Sequence, residues 1–207
     1  MKTETKELGI IKLNKKIVVG DPCYDVDSAN TVKNVKPGIY HAFIRKADAN
    51  SWGERISRIM VIHEDNLHQI HYQDDDFLAL ENHFAPNLFI TEGEIVGVDS
   101  GQAGVYDYDY FCRFQNQRDY GMPGDWYNNV CQMTLSEEKG GVMDSRCAVS
   151  STGYGDGGYR NILFHEKATK QIVGIIIDFD VELENYENDY DDEEDEEEYE
   201  LFNYNEV

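Results

Sequence analysis

Apolar positions along this chain recur at a spacing of two far more often than at a helical spacing. Gly9–Leu13 and Lys16–Val19 are short β-branched runs around Asn14-Lys15, which predicts a hairpin. Gly20-Asp21-Pro22 stops the second run, because proline lacks the N–H that a central ladder needs. Alternation resumes after Pro37-Gly38 from Ile39 to Arg45, and again from Arg55 to Ile62. These two runs are expected to pair through the connection "ADANSWGE". Asp65 to Leu88 is polar and irregular and supports no assignment. Glu94–Val98 and Ala103–Tyr106 read as strands on either side of Asp99-Ser100-Gly101-Gln102. Helical spacing stands out only in "DWYNNVCQMTLSEEKGG". There Asp125 is the expected N-cap, Trp126, Val130, Met133 and Leu135 make an apolar stripe, and Gly140-Gly141 ends it. Cys147–Ser151, Tyr159–His165 and Ile172–Phe179 follow as strands, the last so apolar that both its faces should be buried. The pattern predicts a mainly β fold, a single-domain β-sandwich or partly open barrel with one or two short helices.

Composition narrows the partners. The 207 residues, 41% hydrophobic, suit one core, and the formal charge is -23. Fourteen of the 41 acids fall in residues 182–207, which hold no Lys or Arg, leaving 27 acids against 18 bases elsewhere. Residues 1–181 are therefore read as the β-rich globular domain. Residues 182–207 are read as an acidic tail, expected to be mobile because it has little apolar surface to offset ordering entropy. An acidic body repels phosphate backbones, which excludes nucleic acid as the expected partner and leaves a basic protein, a cation, or a small anion in a local pocket. No apolar run is long enough for a membrane span, and "MKTETKELGI" lacks the apolar region of a signal peptide, so no membrane association and a cytoplasmic location are expected. Cys23, Cys112, Cys131 and Cys147 show no zinc-ligand spacing and read as buried small hydrophobes, with Cys23, beside a turn, the one to watch as a thiol.

The candidate chemistry lies where acids adjoin turn glycines at strand ends: Asp21 in "VVGDPCY", Asp99 and Asp107 in "VGVDSGQAGVYD", and Asp156 in "SSTGYGDGGY". "SWGERI" sets Trp52, Glu54 and Arg55 in a loop of the same style. Three readings of Asp156 stand open. Its carboxylate braces its own loop by accepting from nearby amides. Alternatively Asp21, Asp99 and Asp156 converge on one cavity, where Asp99 and Asp156 would bind Ca²⁺ or Mg²⁺ or one acid would act as a general base. In the third, Trp52, Tyr154 and Tyr159 stack on a flat ligand while Ser100, Gln102 and the acids hydrogen-bond to it. Gly153, Gly155 and Gly158 mimic a dinucleotide fingerprint, but the loop leads into a strand, so the helix N-terminus that would hold a pyrophosphate is missing. His63, His68 and His71 are read as a solvated loop rather than a metal site, since no helix aligns them. The many tyrosines, several alternating with Asp in "VYDYDYF" and the tail, read first as cover for half-exposed strand faces and second as a partner surface.

The order of these motifs resembles a family of bacterial and phage proteins classed as a domain of unknown function (DUF4241-like). Its pattern is an early Gly-Asp-Pro turn, a Trp-Gly-acid-basic loop, a Val-Asp-x-Gly strand pair ending in an acid, and a late Ser-Ser-Gly-aromatic-Gly-Asp-Gly-x-Tyr loop before two closing strands. The match spans residues 8 to 180, with "GVDSGQAG" and the late loop its most specific parts. Thr152 is an insertion relative to the pattern, and the acidic tail is a departure from it. The resemblance implies a shared β-rich fold and a shared site around Asp99 and Asp156, and supplies no reaction.

No nucleophile elbow, P-loop or zinc-protease motif occurs. The leading expectation is a non-enzymatic binding or interaction protein that neutralises a basic toxin or defence protein, or holds a small ligand. A metal-assisted hydrolase using Asp99 and Asp156, with Asp21 or His63 as base, is the rival. The third possibility is that the loops are purely structural and the active surface lies on the 65–90 segment.

Overall fold

The computed structural model describes residues 2–70, 86–114 and 126–181. In chain order its strands are β1 (Thr3–Leu13), β2 (Lys16–Gly20), β3 (Asn30–Lys33), β4 (Gly38–Asp48), β5 (Glu54–His63), β6 (Leu88–Glu92), β7 (Val96–Val98) and β8 (Gln102–Asp107). Two helices follow, α1 (Tyr108–Arg113) and α2 (Trp126–Thr134), then β9 (Gly140–Met143), β10 (Cys147–Ser151), β11 (Gly157–Glu166) and β12 (Ile172–Asp178). The first sheet runs β1-β4-β5-β12-β11-β6, with β7 continuing on β11, and the second runs β3-β2-β8-β10-β9. Neither sheet closes on itself among the described residues, so the architecture is a sandwich and not a barrel.

The main core lies between the sheets, where Ile17, Val19, Ala103, Val105 and Ala148 of the second sheet meet Ile44, Ile59, Val61, Ile175 and Ile177 of the first. Val18, Tyr106, Cys147 and Val149 project from the opposite face of the second sheet into a cluster with Tyr110 and Phe111 of α1 and Trp126, Tyr127, Val130 and Cys131 of α2. A third cluster, including Met60, Ile62, Phe164, Val173 and Ile176, covers the outer face of the first sheet under Ile70 and Leu88. Strand alternation thus serves two apolar layers at once, which is why β12 is buried along its whole length.

Two expected strand pairs are corrected. β1 and β2 do not form a hairpin: β1 pairs with β4, and β2 pairs with β3 and β8. Ile17, Val18 and Val19 are all fully buried and need apolar cover on both faces, which the middle of the second sheet provides. β7 and β8 likewise lie in different sheets, so Asp99–Gly101 is a crossing between layers. The β4–β5 hairpin is as expected. Leu135 does not belong to the helical stripe; it is 82% exposed and lies beyond the end of α2. Nine residues after Trp126, at roughly 100° per residue, its position falls on the opposite side of the helix. Asp125, His71, most of the irregular segment and the tail at 182–207 lie outside the described residues.

The two open sides of the sandwich are tied differently. On one, β1 passes β9, and Lys12 N–H donates to the Ser145 carbonyl at 2.8 Å. A β-carbon at Gly9 would come within 2.9 Å of Val142. On the other side, β3 faces the β6–β7 junction and the start of β12.

Candidate functional site

The loops singled out in the sequence meet at one end of the sandwich. Asp21, fully buried just after β2, is their tie. One carboxylate oxygen accepts from the amides of Asp99 and Ser100, each at 2.8 Å. The other accepts from the Cys23 amide at 2.8 Å and the Ser100 hydroxyl at 2.6 Å. These four donors fill a carboxylate's usual acceptor capacity, so Asp21 stitches the β7–β8 crossing to the end of β2 and has no lone pair left for a cation.

The Cys23 thiol beside it is pushed up to about 12 by burial and by the neighbouring Asp21 carboxylate, the reverse of an activated thiol. Tyr24 is raised to about 12 by burial and by the neighbouring Asp99 carboxylate. Tyr127 of α2, hydrogen-bonded to Ser100, is also raised to about 12, chiefly by burial. Gln102 lies beneath α2, with its Nε2 donating to the Cys131 sulfur at 3.4 Å.

The "SSTGYGDGGY" loop is closed by hydroxyls. Thr152 Oγ1 donates to the Gly155 carbonyl at 2.6 Å and the Tyr159 hydroxyl donates to the same oxygen at 2.7 Å. The Thr152 amide donates to the Gly101 carbonyl at 2.9 Å, joining this loop to the β7–β8 crossing. Gly153 packs so tightly on the chain leaving β12 that a β-carbon there would come within 2.4 Å of Val181. Gly155 has a φ of 105°, a backbone region that other residues rarely adopt. Thr152 is therefore the loop's clamp. The Asp156 carboxylate is exposed and makes no hydrogen bond among the described residues, so it does not brace its own loop.

Asp99 and Asp156 lie together: the last rung of the β7–β11 ladder pairs Val98 with Gly157, and each Asp is one step beyond it. Among the described residues no group of three His, Cys, Asp or Glu side chains gathers that would hold a metal. Asp21, saturated by its four donors, adds no ligand to the Asp99 and Asp156 pair.

Beside the Gly155 loop opens a cleft of about 350 Å³, lined by Arg55, Gly101, Leu135, Lys139 and Tyr154 among others. Trp52, 64% exposed, stands at its rim with its ring edge-on to Tyr154, centroids 5.9 Å apart. The Arg55 guanidinium lies 5.9 Å from the Trp52 ring, and its Nε donates to the Trp52 carbonyl at 3.1 Å. Lys139 donates to the Glu54 carbonyl at 2.5 Å. Arg55 was visible in "SWGER", but Lys139 had no sequence signal beyond its place before Gly140. Tyr159 is buried against Phe179 and does not reach a ligand surface.

His63 lies well away, at the end of β5. Its Nδ1 accepts from the Asp65 amide at 3.2 Å. It is a buried structural ring rather than part of a solvated loop. No protein-family model, curated protein or solved structure matches the chain, so function has to be read from these residues themselves. No helix among the described residues is long and apolar enough to cross a membrane.

Proposed function

We propose that this is a non-enzymatic binding protein that takes a small anionic ligand with a flat apolar part in the cleft between Arg55, Lys139, Tyr154 and Trp52. The observation that carries this reading is a basic, aromatic-rimmed hollow of about 350 Å³ in a chain of net charge -23. Glu54 lies 3.9 Å from the Lys139 ammonium and offsets part of its charge, while acids beyond about 8 Å are largely screened at physiological salt. Arg55 offers a planar donor fork and Trp52 an exposed π face, a pairing suited to an aromatic carboxylate or sulfonate. The nearby acid, thiol and phenol groups support binding over catalysis: Asp21 is saturated with donors and Cys23 is held protonated.

Thermal melts of the full chain test this with naphthalene-2-sulfonate, inorganic phosphate and polylysine. A ligand of the folded state raises the melting temperature as its concentration passes Kd. A saturable rise with the sulfonate is expected, and Arg55→Glu with Lys139→Glu should abolish it while leaving the ligand-free melt in place. If polylysine alone shifts the melt and the charge reversals change nothing, the acidic surface is the binding face and the cleft reading fails. If none of the three shifts it, the binding reading loses its support.

A further inference from the structure

The side of the sandwich where β3 faces the first sheet is latched at two points and open between them. At one latch, Asn30 Nδ2 donates to the carbonyls of Glu94 and Ile95, at 3.2 and 2.8 Å. At the other, the Ile172 amide donates to the Asn34 carbonyl at 2.9 Å and Asn34 Nδ2 donates to the Lys170 carbonyl at 2.7 Å. Between the latches lies a hollow of about 260 Å³, walled by Thr31, Val32, Lys33, Leu163 and Ile172 and lipped by Gly93 and Glu94. Asn161 also lines it.

The Asn161 side chain is 1% exposed, and both its oxygen and its nitrogen lack a hydrogen-bond partner among the described residues. Leaving a buried donor or acceptor unmade costs about 1–3 kcal/mol. Leucine would fill the position without that cost. The backbone shields the amide rather than satisfying it: the Gly93 N–H donates to the Asn161 carbonyl at 2.7 Å, and a β-carbon at Gly93 would lie 2.7 Å from Nδ2. The glycine at 93 thus leaves room for the amide at the hollow.

A side-chain amide presents a donor and an acceptor side by side in one plane. Its complement is a second planar group with an N–H beside a C=O: a carboxamide, a lactam, or the edge of a nucleobase. We propose that the hollow over Asn161 binds a small neutral ligand through such an amide edge, reached as the Gly93 backbone that covers it shifts aside, with the ligand's ring resting on Leu163, Val32 and Ile172. The volume lies just below that of drug-sized pockets and suits a single ring. This site is on the side of the sandwich and shares no residue with the Arg55–Lys139 cleft, so it goes beyond the proposed function.

The test is an NMR titration of the full ¹⁵N-labelled chain with uracil, nicotinamide and 1,3-dimethyluracil, the last lacking the N–H. Saturable shifts of the Gly93 backbone and Asn161 side-chain amides are expected with uracil or nicotinamide, and which of the two binds separates a nucleobase edge from a carboxamide. Dimethyluracil should bind at least about tenfold more weakly, a factor worth about 1.4 kcal/mol. Asn161→Leu should bind neither ligand and melt no lower than the parent. Thr31→Phe, which fills the hollow from its wall, should also block binding. The proposal is overturned if neither uracil nor nicotinamide gives saturable shifts, or if dimethyluracil binds equally well. A markedly lower melting temperature for Asn161→Leu also overturns it, since the amide would then be a structural group holding only water.

Discussion

Asp21 holds three backbone amides and one hydroxyl with a single carboxylate, and hydrogen bonds to a charged group contribute about 1.5–3 kcal/mol each before coupling. Replacing it by Asn keeps the shape but turns an NH₂ group toward N–H donors. Asp21→Asn should lower unfolding stability by about 2–4 kcal/mol. Asp156→Ala, at an exposed carboxylate without a hydrogen bond among the described residues, should stay within about 0.5 kcal/mol of the parent. Urea midpoints at unchanged m-value measure both, and equal losses would refute the assignment of Asp21 as the tie. Both acids are flanked by turn glycine or proline, so nothing local distinguishes them in the sequence. What separates them is the Asp99–Ser100 turn 78 and 79 residues further on, which closes over Asp21 alone. Trp52, Tyr154 and Arg55 were legible because a loop between alternating runs must expose something. Lys139 and Asn161 were not, since a lysine before glycine and an asparagine in a strand carry no local mark of what they face.

Among the elements, β4 and β5 were legible as alternation and β12 as a continuous apolar run, whereas the partners of β1, β2, β7 and β8 were not. Alternation specifies which faces are buried but not which strand lies alongside. Asp107 decides one case from afar, accepting from the Asn14 amide at 3.1 Å across 93 residues while capping α1 through the Tyr110 amide at 3.2 Å. In the first sheet, Asp178 of β12 stands directly opposite Arg58 of β5, and Arg45 of β4 stands opposite Arg58 in turn. The Arg58 Nε lies 3.4 Å from the Asp178 carboxylate, with both side chains almost wholly buried. Removing one member of such a pair strands the other charge, so Asp178→Ala should cost about 3–5 kcal/mol. Replacing both, as Arg58→Met with Asp178→Leu, should cost less than Asp178→Ala alone, because neither member of the pair is then left buried without the other. A double-mutant cycle by chemical denaturation reads the coupling, and strictly additive losses would show that the two strands are held together without the ion pair.

Over the whole molecule, acid acts through two opposing effects. Lowering the pH from neutrality shrinks the net charge of -23 and relieves self-repulsion, which favours the compact state. His63 opposes this. Burial, then the Lys36 ammonium, hold its pKa below the ordinary imidazole value, against weaker pulls from Asp65, Glu64 and the Pro37 backbone. Its ring packs edge-on against Tyr40, centroids 5.0 Å apart. Because its folded pKa is depressed, the unfolded chain takes the proton first, so stability is lost as pH falls below about 6.5. His165, lowered by burial and stacked on Phe89, has the same sign. The carboxylates of Asp65 and Glu166 are held low chiefly by their hydrogen bonds to Lys36. They lose their contribution only further down, as pH falls from the ordinary carboxylate range through their folded values. A comparison between pH 7.5 and 5.5 therefore isolates the imidazoles. The change in overall charge is nearly common to parent and variant, so the difference between them cancels it. The parent should lose more melting temperature between these pH values than His63→Gln, and the further substitution His165→Gln should flatten the dependence again. If parent and His63→Gln lose the same amount, His63 takes up its proton as readily in the folded chain as in the unfolded one, and its burial between Tyr40 and Pro37 contributes nothing to acid sensitivity.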